Sequence, residues 1–207
     1  MVSVILPYKE DRGFLQQCLD SIKAQTYEDF ELIESCGNGN LPQNFNHGLR
    51  FANGEFIKMV QDDDWLPPDS LKFLVEGIGD NAWAVGNVWQ HPVDENDNPR
   101  RPPYIDKPPY LDFMNNFNHY SLHMGSTLYR RDLLEKIGGM DETLETGEEY
   151  DMHLKLLWNG YIPVHIDKEV YHYRMWAGGK SVIYRKNRTE WRKNELAKIK
   201  ARYFLNP

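Results

Sequence analysis

Three consecutive carboxylates, Asp62, Asp63 and Asp64, are the densest concentration of chemical function in the chain. Side by side they repel one another unless a cation or a hydrogen-bond donor neutralises them. Two readings fit the local sequence about equally. One is a set of hard oxygen ligands for Mg²⁺ or Mn²⁺, which keep open positions for phosphate oxygens. The other is a solvated acidic turn leading into the helix that opens near Pro68. An EF-hand is excluded, because the loop has no Gly at its sixth position and no Glu at its twelfth. Cys18 and Cys36 are too far apart in sequence for a thiol metal motif, and no pair of His residues brackets a Glu as in the zinc hydrolases. A second acidic group, Glu148, Glu149 and Asp151, opens a helical stretch. On residue type alone it complements the positive end of the helix dipole.

The elements that must hold these groups follow from hydrophobic spacing. Residues 2–6 are a short β-branched run stopped by Pro7, the pattern of a buried strand. Leu15, Cys18, Leu19 and Ile22 share one helical face, with Asp11 as N-cap. Strand 30–33, helix 43–52 and strand 56–60 follow, and the aspartates come directly after the third strand. Alternation of this kind implies a largely parallel sheet, and in such sheets ligands bind beyond the carboxyl ends of the strands. Leu71, Leu74, Val75 and Ile78 mark the next helix, and strands are expected at 83–89, 125–129, 164–166 and 170–173, with a helix over 148–158. Six of the twelve prolines lie in residues 91–110 with Arg100 and Arg101, so a long functional loop is expected there.

The net charge of −7 argues against a nucleic-acid partner. Residues 184–207 carry eight Lys/Arg against two Glu, which leaves the rest of the chain at −13. This tail, with Trp191, Leu196, Ile199 and Tyr203 in an imperfect stripe, reads as a basic helix. Such a helix can pack on its own acidic domain or lie on an anionic membrane. No apolar run is long enough for an integral membrane segment and residues 1–7 are too short for a signal peptide, so a cytoplasmic chain, peripheral to a membrane at most, is expected.

Residues 2–10 and 19–33, Asn46-His47-Gly48, residues 52–57, the aspartates with Pro68-Asp69-Ser70-Leu71 behind them, residues 138–142 and residues 147–156 resemble the family 2 glycosyltransferases, in that family's order and spacing. The resemblance implies a GT-A fold, a Rossmann-like α/β domain whose mostly parallel mixed sheet is flanked by helices, with the C-terminal basic helix appended. It divides the chain into a glycosyltransferase domain over residues 1–183 and the tail over 184–207. Residues 1–90 would bind the nucleotide-sugar and residues 91–183 the acceptor. It implies a metal-dependent, inverting transfer from a nucleoside-diphosphate sugar, UDP-linked by preference, to a hydroxyl of a glycan or lipid-linked saccharide, with Mn²⁺ or Mg²⁺ as cofactor. By the same analogy Pro7, Tyr8 and Glu10 face the nucleoside, Asp62 and Asp63 the ribose or sugar, and Asp64 the metal, with Asp62 beside it. Glu149 is the general base, with Asp151 and Glu148 behind it. The chain departs from the family at the base-reading turn, where Glu34 and Ser35 are the substitutes. It departs again at Arg174-Met175-Trp176, where Trp stands for His and His172 becomes the replacement metal contact. These departures motivate the alternative, a catalytically silent sugar-nucleotide-binding domain.

Overall fold

The computed structural model describes residues 1–94, 96–106 and 122–204. Strand β1 (Val2–Tyr8) sets the frame. Val2, Val4 and Leu6 face one side of the sheet and Ile5 the other, so each joins a different half of the core. β1 pairs in parallel with β2 (Phe30–Cys36) on one edge and β3 (Phe56–Met59) on the other. β3 is joined antiparallel by β6 (Thr127–Arg130), which pairs with the start of β4 (Trp83–Pro92). The other edge of β4 carries β7 (Val164–Met175) in parallel, and β5 (Tyr104–Asp106) pairs antiparallel with Val88–Gln90. The order β2-β1-β3-β6-β4-β5, with β7 on β4, makes one seven-stranded mixed sheet among the described residues.

Helices α1 (Leu15–Lys23) and α3 (Ser70–Ile78) cover the face holding Val2, Val4 and Leu6, through Cys18, Ile22, Leu71 and Leu74. The opposite face receives α2 (Leu41–Leu49), α4 (Arg131–Ile137), α5 (Glu148–Trp158) and part of the tail, through Phe45, Leu134, Met152 and Ile199. α2 starts two residues earlier than its spacing suggests. Asn40 and Gln43 form a reciprocal capping box there, and Pro42 fits the first turn. Asp11 does not cap α1; its carboxylate accepts from the Gly13 and Leu15 N–H groups and holds the loop before it.

Pro7 does not stop β1. The β3 pairing ends at Ile5, so the missing N–H at Pro7 interrupts no ladder, and the strand continues along β2 to Tyr8. The two expected strand fragments after residue 163 are one strand, β7, whose register against β4 slips at Gly86–Val88. The strand expected from Gly125 starts only at Thr127, behind a 3₁₀ turn over Met124–Ser126. Gly125 lies under the Tyr171 ring, where a Cβ would come within 2.0 Å of it. The proline-rich segment holds more order than expected: β4 runs to Pro92, Val93 bridges Pro99, and β5 follows. Residue 95 and residues 107–110 of that expected loop lie outside the described residues.

The tail is two helices rather than one, α6 (Lys180–Asn187) and α7 (Thr189–Phe204). Ile199 is fully buried against the core, and Leu196 and Ile199 pack over Gly147, where a Cβ would meet both within 2.8 Å. Gly147 has φ +76°, so a side chain there is opposed by backbone conformation as well as by contact. No helix among the described residues is long and apolar enough to cross a membrane.

Candidate active site

β1 and β3 end side by side, and the turns beyond them open on a cleft of about 980 Å³. Its first wall carries Pro7, Tyr8, Glu10 and Arg12 from the β1 turn with Gln61, Asp62 and Asp63 from the β3 turn. The opposite wall carries His123, Ser126, Glu148 and Glu149, and α6 and α7 close it with Lys180 and Arg192.

Among the three aspartates, the structure separates roles that the sequence leaves merged. Asp62 and Asp63 line the cleft and share the Arg12 guanidinium, which is 2.7 Å from Asp62 and 3.4 Å from Asp63. Burial raises the Asp62 pKa and the bond from Arg12 opposes the rise. The Trp176 indole N–H donates to Asp63 at 2.8 Å, and Arg12 lies 5.4 Å over the same indole. Trp176 therefore orients a cleft carboxylate instead of ligating, which gives the His-to-Trp departure a physical role. Asp64 turns inward: one oxygen accepts from the Tyr171 hydroxyl and the other from the Arg174 N–H, both at 2.8 Å. Burial and the neighbouring Asp63 hold its pKa well above the ordinary carboxylate value. The Asp64 oxygens thus brace β7, and the residue is only 1% exposed.

His172 lies away from the cleft lining. It stacks on Trp65 with ring centroids 5.0 Å apart and shares a 2.8 Å hydrogen bond with His91, in a group that does not line the cleft. Arg174 is packed behind the aspartate turn. It is 3% exposed, donates to the Asp63 carbonyl and to Asp97 and Gln17, and lies over Phe14 and Trp65. Ser35 is buried and bonded to the Asn44 carbonyl and His47, while Glu34 stays exposed and accepts from the Tyr8 hydroxyl. Both touch cleft residues, Glu34 through Tyr8 and Ser35 through Asn44, and neither lines the cleft itself.

Glu149 sits half-buried at the foot of the far wall. Burial first, then the adjacent Glu148 charge, push its pKa up to about 8; the Met124 N–H, Lys180 and Arg192 pull the other way. The Gln61 amide donates to it at 3.2 Å, so a bond crosses the cleft from the aspartate turn to the second acidic group. Glu148 is bonded to Lys180 at 2.7 Å. Asp151 is not among the cleft-lining residues and accepts from Tyr203 and Arg202 of the tail. Sequence reasoning missed Arg12 and Gln61. Gln61 is adjacent to the aspartates and was visible, whereas Arg12 lies 50 residues away and only the fold brings it there. His123 lines the cleft with its pKa lowered to about 3, by burial and then by Lys58. Lys58 is itself enclosed, bonded to the Gly125 carbonyl, and lowered to about 7 by burial.

The cleft thus has an acidic lip with an arginine at one wall and, at the other, a carboxyl group raised toward neutral pKa that can exchange a proton. The sequence model described as glycosyl transferase family 2 matches residues 35–138, half of the chain. A protein of Rickettsia felis described as an uncharacterized glycosyltransferase is 25% identical over 204 residues, covering 82% of this chain and 33% of its own length. The chain therefore spans about a third of that relative. Among solved structures, Staphylococcus aureus TarS 1–349 in complex with UDP-GlcNAc superimposes with TM-score 0.70 at 18% identity, over 99% of this chain and 66% of that one. The mannosyltransferase PcManGT of Pyrobaculum calidifontis, in complex with GDP-Man and Mn²⁺, gives TM-score 0.56 at 18% identity, over 98% and 61%. At such identities these likenesses show the fold, a GT-A α/β sheet, and the family assignment rests on the sequence match. By that match, this chain belongs to the family 2 glycosyltransferases.

Proposed function

We propose that the chain transfers a sugar from a nucleoside-diphosphate donor to an acceptor hydroxyl, with Glu149 as general base and inversion at the anomeric carbon. The observation that carries this reading is the position of Glu149: it is in the cleft, bonded to Gln61, with a proton affinity near neutral. A base poised there takes the hydroxyl proton as the oxygen attacks. Glu148 is committed to Lys180 and Asp151 to the tail, so on that wall Glu149 has no second carboxylate to act as nucleophile. A single displacement follows. Residues 1–90 then form the donor half, with Pro7, Tyr8 and Glu10 at the nucleoside. Residues 91–183 form the acceptor half, which the tail over 184–207 completes.

Donor preference for UDP is supported by the likeness to TarS, whose complex holds UDP-GlcNAc. The cleft also suits a divalent cation. Mg²⁺ and Mn²⁺ are commonly held by one or two carboxylates plus substrate phosphates, and Asp62 and Asp63 present such a pair at the lip. When bound there, the cation acts as a Lewis acid on the departing diphosphate. Asp62 and Asp63 would hold it, and Trp176 fixes the orientation of Asp63. Arg12 keeps the two carboxylates together without it and can turn to the diphosphate oxygens, which match a guanidinium fork. The test is a thermal-shift series of UDP, GDP and their sugars with Mn²⁺ or with EDTA. The reading predicts a nucleotide-dependent rise in Tm that Mn²⁺ enlarges; no rise with any nucleotide refutes it.

A further inference from the structure

Lys58 stands on β3, and by strand alternation its side chain leaves the sheet on the face of Phe56 and Val60. It is fully buried. Its amine nitrogen lies 5.1 Å from the centre of the Tyr171 ring and donates to the Gly125 carbonyl. Burial alone lowers its pKa to about 7, so no carboxylate among the described residues compensates it. An uncompensated buried amine is costly to stability.

Its position gives that cost a use. The β3–β6 ladder pairs Phe56 with Arg130 and Ile57 with Tyr129 and goes no further toward the cleft. Beyond it the chain ahead of β6 is the 3₁₀ turn over Met124–Ser126, and the Lys58 side chain ties that turn to β3 where the ladder has stopped. Within the turn, the Gly125 N–H donates to the His123 ring and the Thr127 hydroxyl donates to the Met124 carbonyl. On the cleft side the turn presents His123 and Ser126 and gives the Met124 N–H to Glu149, which comes from α5 on the opposite face of the sheet. Lys58 and Tyr171 thus hold the turn from one face and Glu149 meets it from the other. Gly125 rests so closely on the Tyr171 ring that a Cβ would come within 2.0 Å of it.

Resting on the reading of Glu149 as general base, we infer that Lys58 is a positioning residue for it: by holding the Gly125 carbonyl, Lys58 keeps the neighbouring Met124 N–H aimed at the Glu149 carboxylate. Lys58 does not line the cleft, so it acts through the turn. An amine donates a hydrogen bond with or without its extra proton, so the tie persists across the range in which Glu149 titrates. His123 and Tyr171 face Lys58. Glu148, Lys180, Arg192, Gln61 and Tyr129 face Glu149, and replacing Lys58 changes none of them.

The test is the Glu149 carboxyl titration, followed by ¹³C NMR in the full chain and assigned by its loss in Glu149→Gln. Lys58→Met keeps the length of the side chain and removes the donor. The Met124 N–H favours the ionised carboxylate, so releasing it should move the midpoint from about 8 to about 9. One unit is about tenfold less ionised carboxylate at pH 7, so release of nucleoside diphosphate at pH 7 should fall about tenfold, with the plateau reached one unit later. Ser70→Ala removes a buried 2.6 Å bond to the Val170 carbonyl, away from the turn, and controls for loss of stability; it should lower Tm and leave the midpoint at about 8. If Lys58→Met does not fold, Thr127→Val releases the same turn at the Met124 carbonyl and should move the midpoint in the same direction. A midpoint that stays at about 8 or falls in the turn-releasing variant, or an equal shift in Ser70→Ala, overturns the inference. Turnover of Glu149→Gln is read separately. An unchanged rate removes the reading of Glu149 as base, whereas a lost rate with an unmoved midpoint in the turn-releasing variant removes only the role of Lys58.

Discussion

Glu149 makes a pH dependence the sharpest consequence of the structure. Its carboxyl is raised from 4.5 to about 8, so at pH 7 only about a tenth of it is ionised, and at pH 6 about a hundredth. A general base acts in the ionised form, so kcat/KM should climb about tenfold per pH unit up to about pH 8 and then level off. The second cause of the shift is the Glu148 charge, which Glu148→Gln removes. The same change frees Lys180 from its carboxylate partner, and its charge then acts on Glu149 in the same direction. A fall of one unit raises the ionised fraction at pH 7 from about a tenth to about a half, so activity at pH 7 should rise about fivefold while the plateau stays. The assay is release of nucleoside diphosphate from the donor between pH 5.5 and 9.5. A flat profile between pH 6 and 8, or a Glu148→Gln limb that stays put or moves to higher pH, refutes the reasoning. Stability carries the matching sign: the folded chain keeps a proton that the unfolded chain releases, so stability falls as pH rises from about 4.5 to about 8. Glu149→Gln should flatten that slope.

Asp64→Asn should act on stability more than on metal use. An amide can accept from only one of the two donors, Tyr171 and Arg174, and leaves the other unmatched. A loss of about 1–3 kcal/mol is expected by denaturant unfolding, with nucleotide affinity changed far less than in Asp63→Asn. Gly125→Ala should be worse tolerated than an ordinary turn substitution, since the new methyl would sit 2.0 Å from the Tyr171 ring. Overpacking of this kind costs about 1–3 kcal/mol, and moving that ring also disturbs Asp64, so a lower Tm with weakened donor binding is expected.

Much of the fold was legible because its core elements announce themselves locally: α1 and α3 each bury one periodic stripe, and β1 and β3 are short runs buried on both faces. The site was legible only where neighbours in sequence are neighbours in space. Three adjacent aspartates look equivalent in a sequence, and which of them turns inward is decided by Tyr171 and Arg174, more than 100 residues on. Glu149 was identified through a resemblance, and its environment came from Met124, Gln61 and the tail. The tail is the clearest limit. Its apolar stripe said that it must pack somewhere, but only tertiary structure shows it docking on Gly147 and walling the cleft. The surroundings of His172 and Arg174 were illegible for the same reason: their residue types suit ligands, and only the fold shows the stacking and buried hydrogen bonds that hold both.

The central claim is that Glu149 removes the acceptor proton in a cleft that binds the donor independently of it. Glu149→Gln keeps the shape and the hydrogen-bonding length of the side chain while removing the base. Turnover of the donor and donor affinity, measured together on this variant and on the unmutated chain, test the claim most directly. The account predicts affinity within about threefold and turnover lower by about 10²–10⁴. Turnover at the unmutated rate, or a loss fully explained by weakened donor binding, would contradict it.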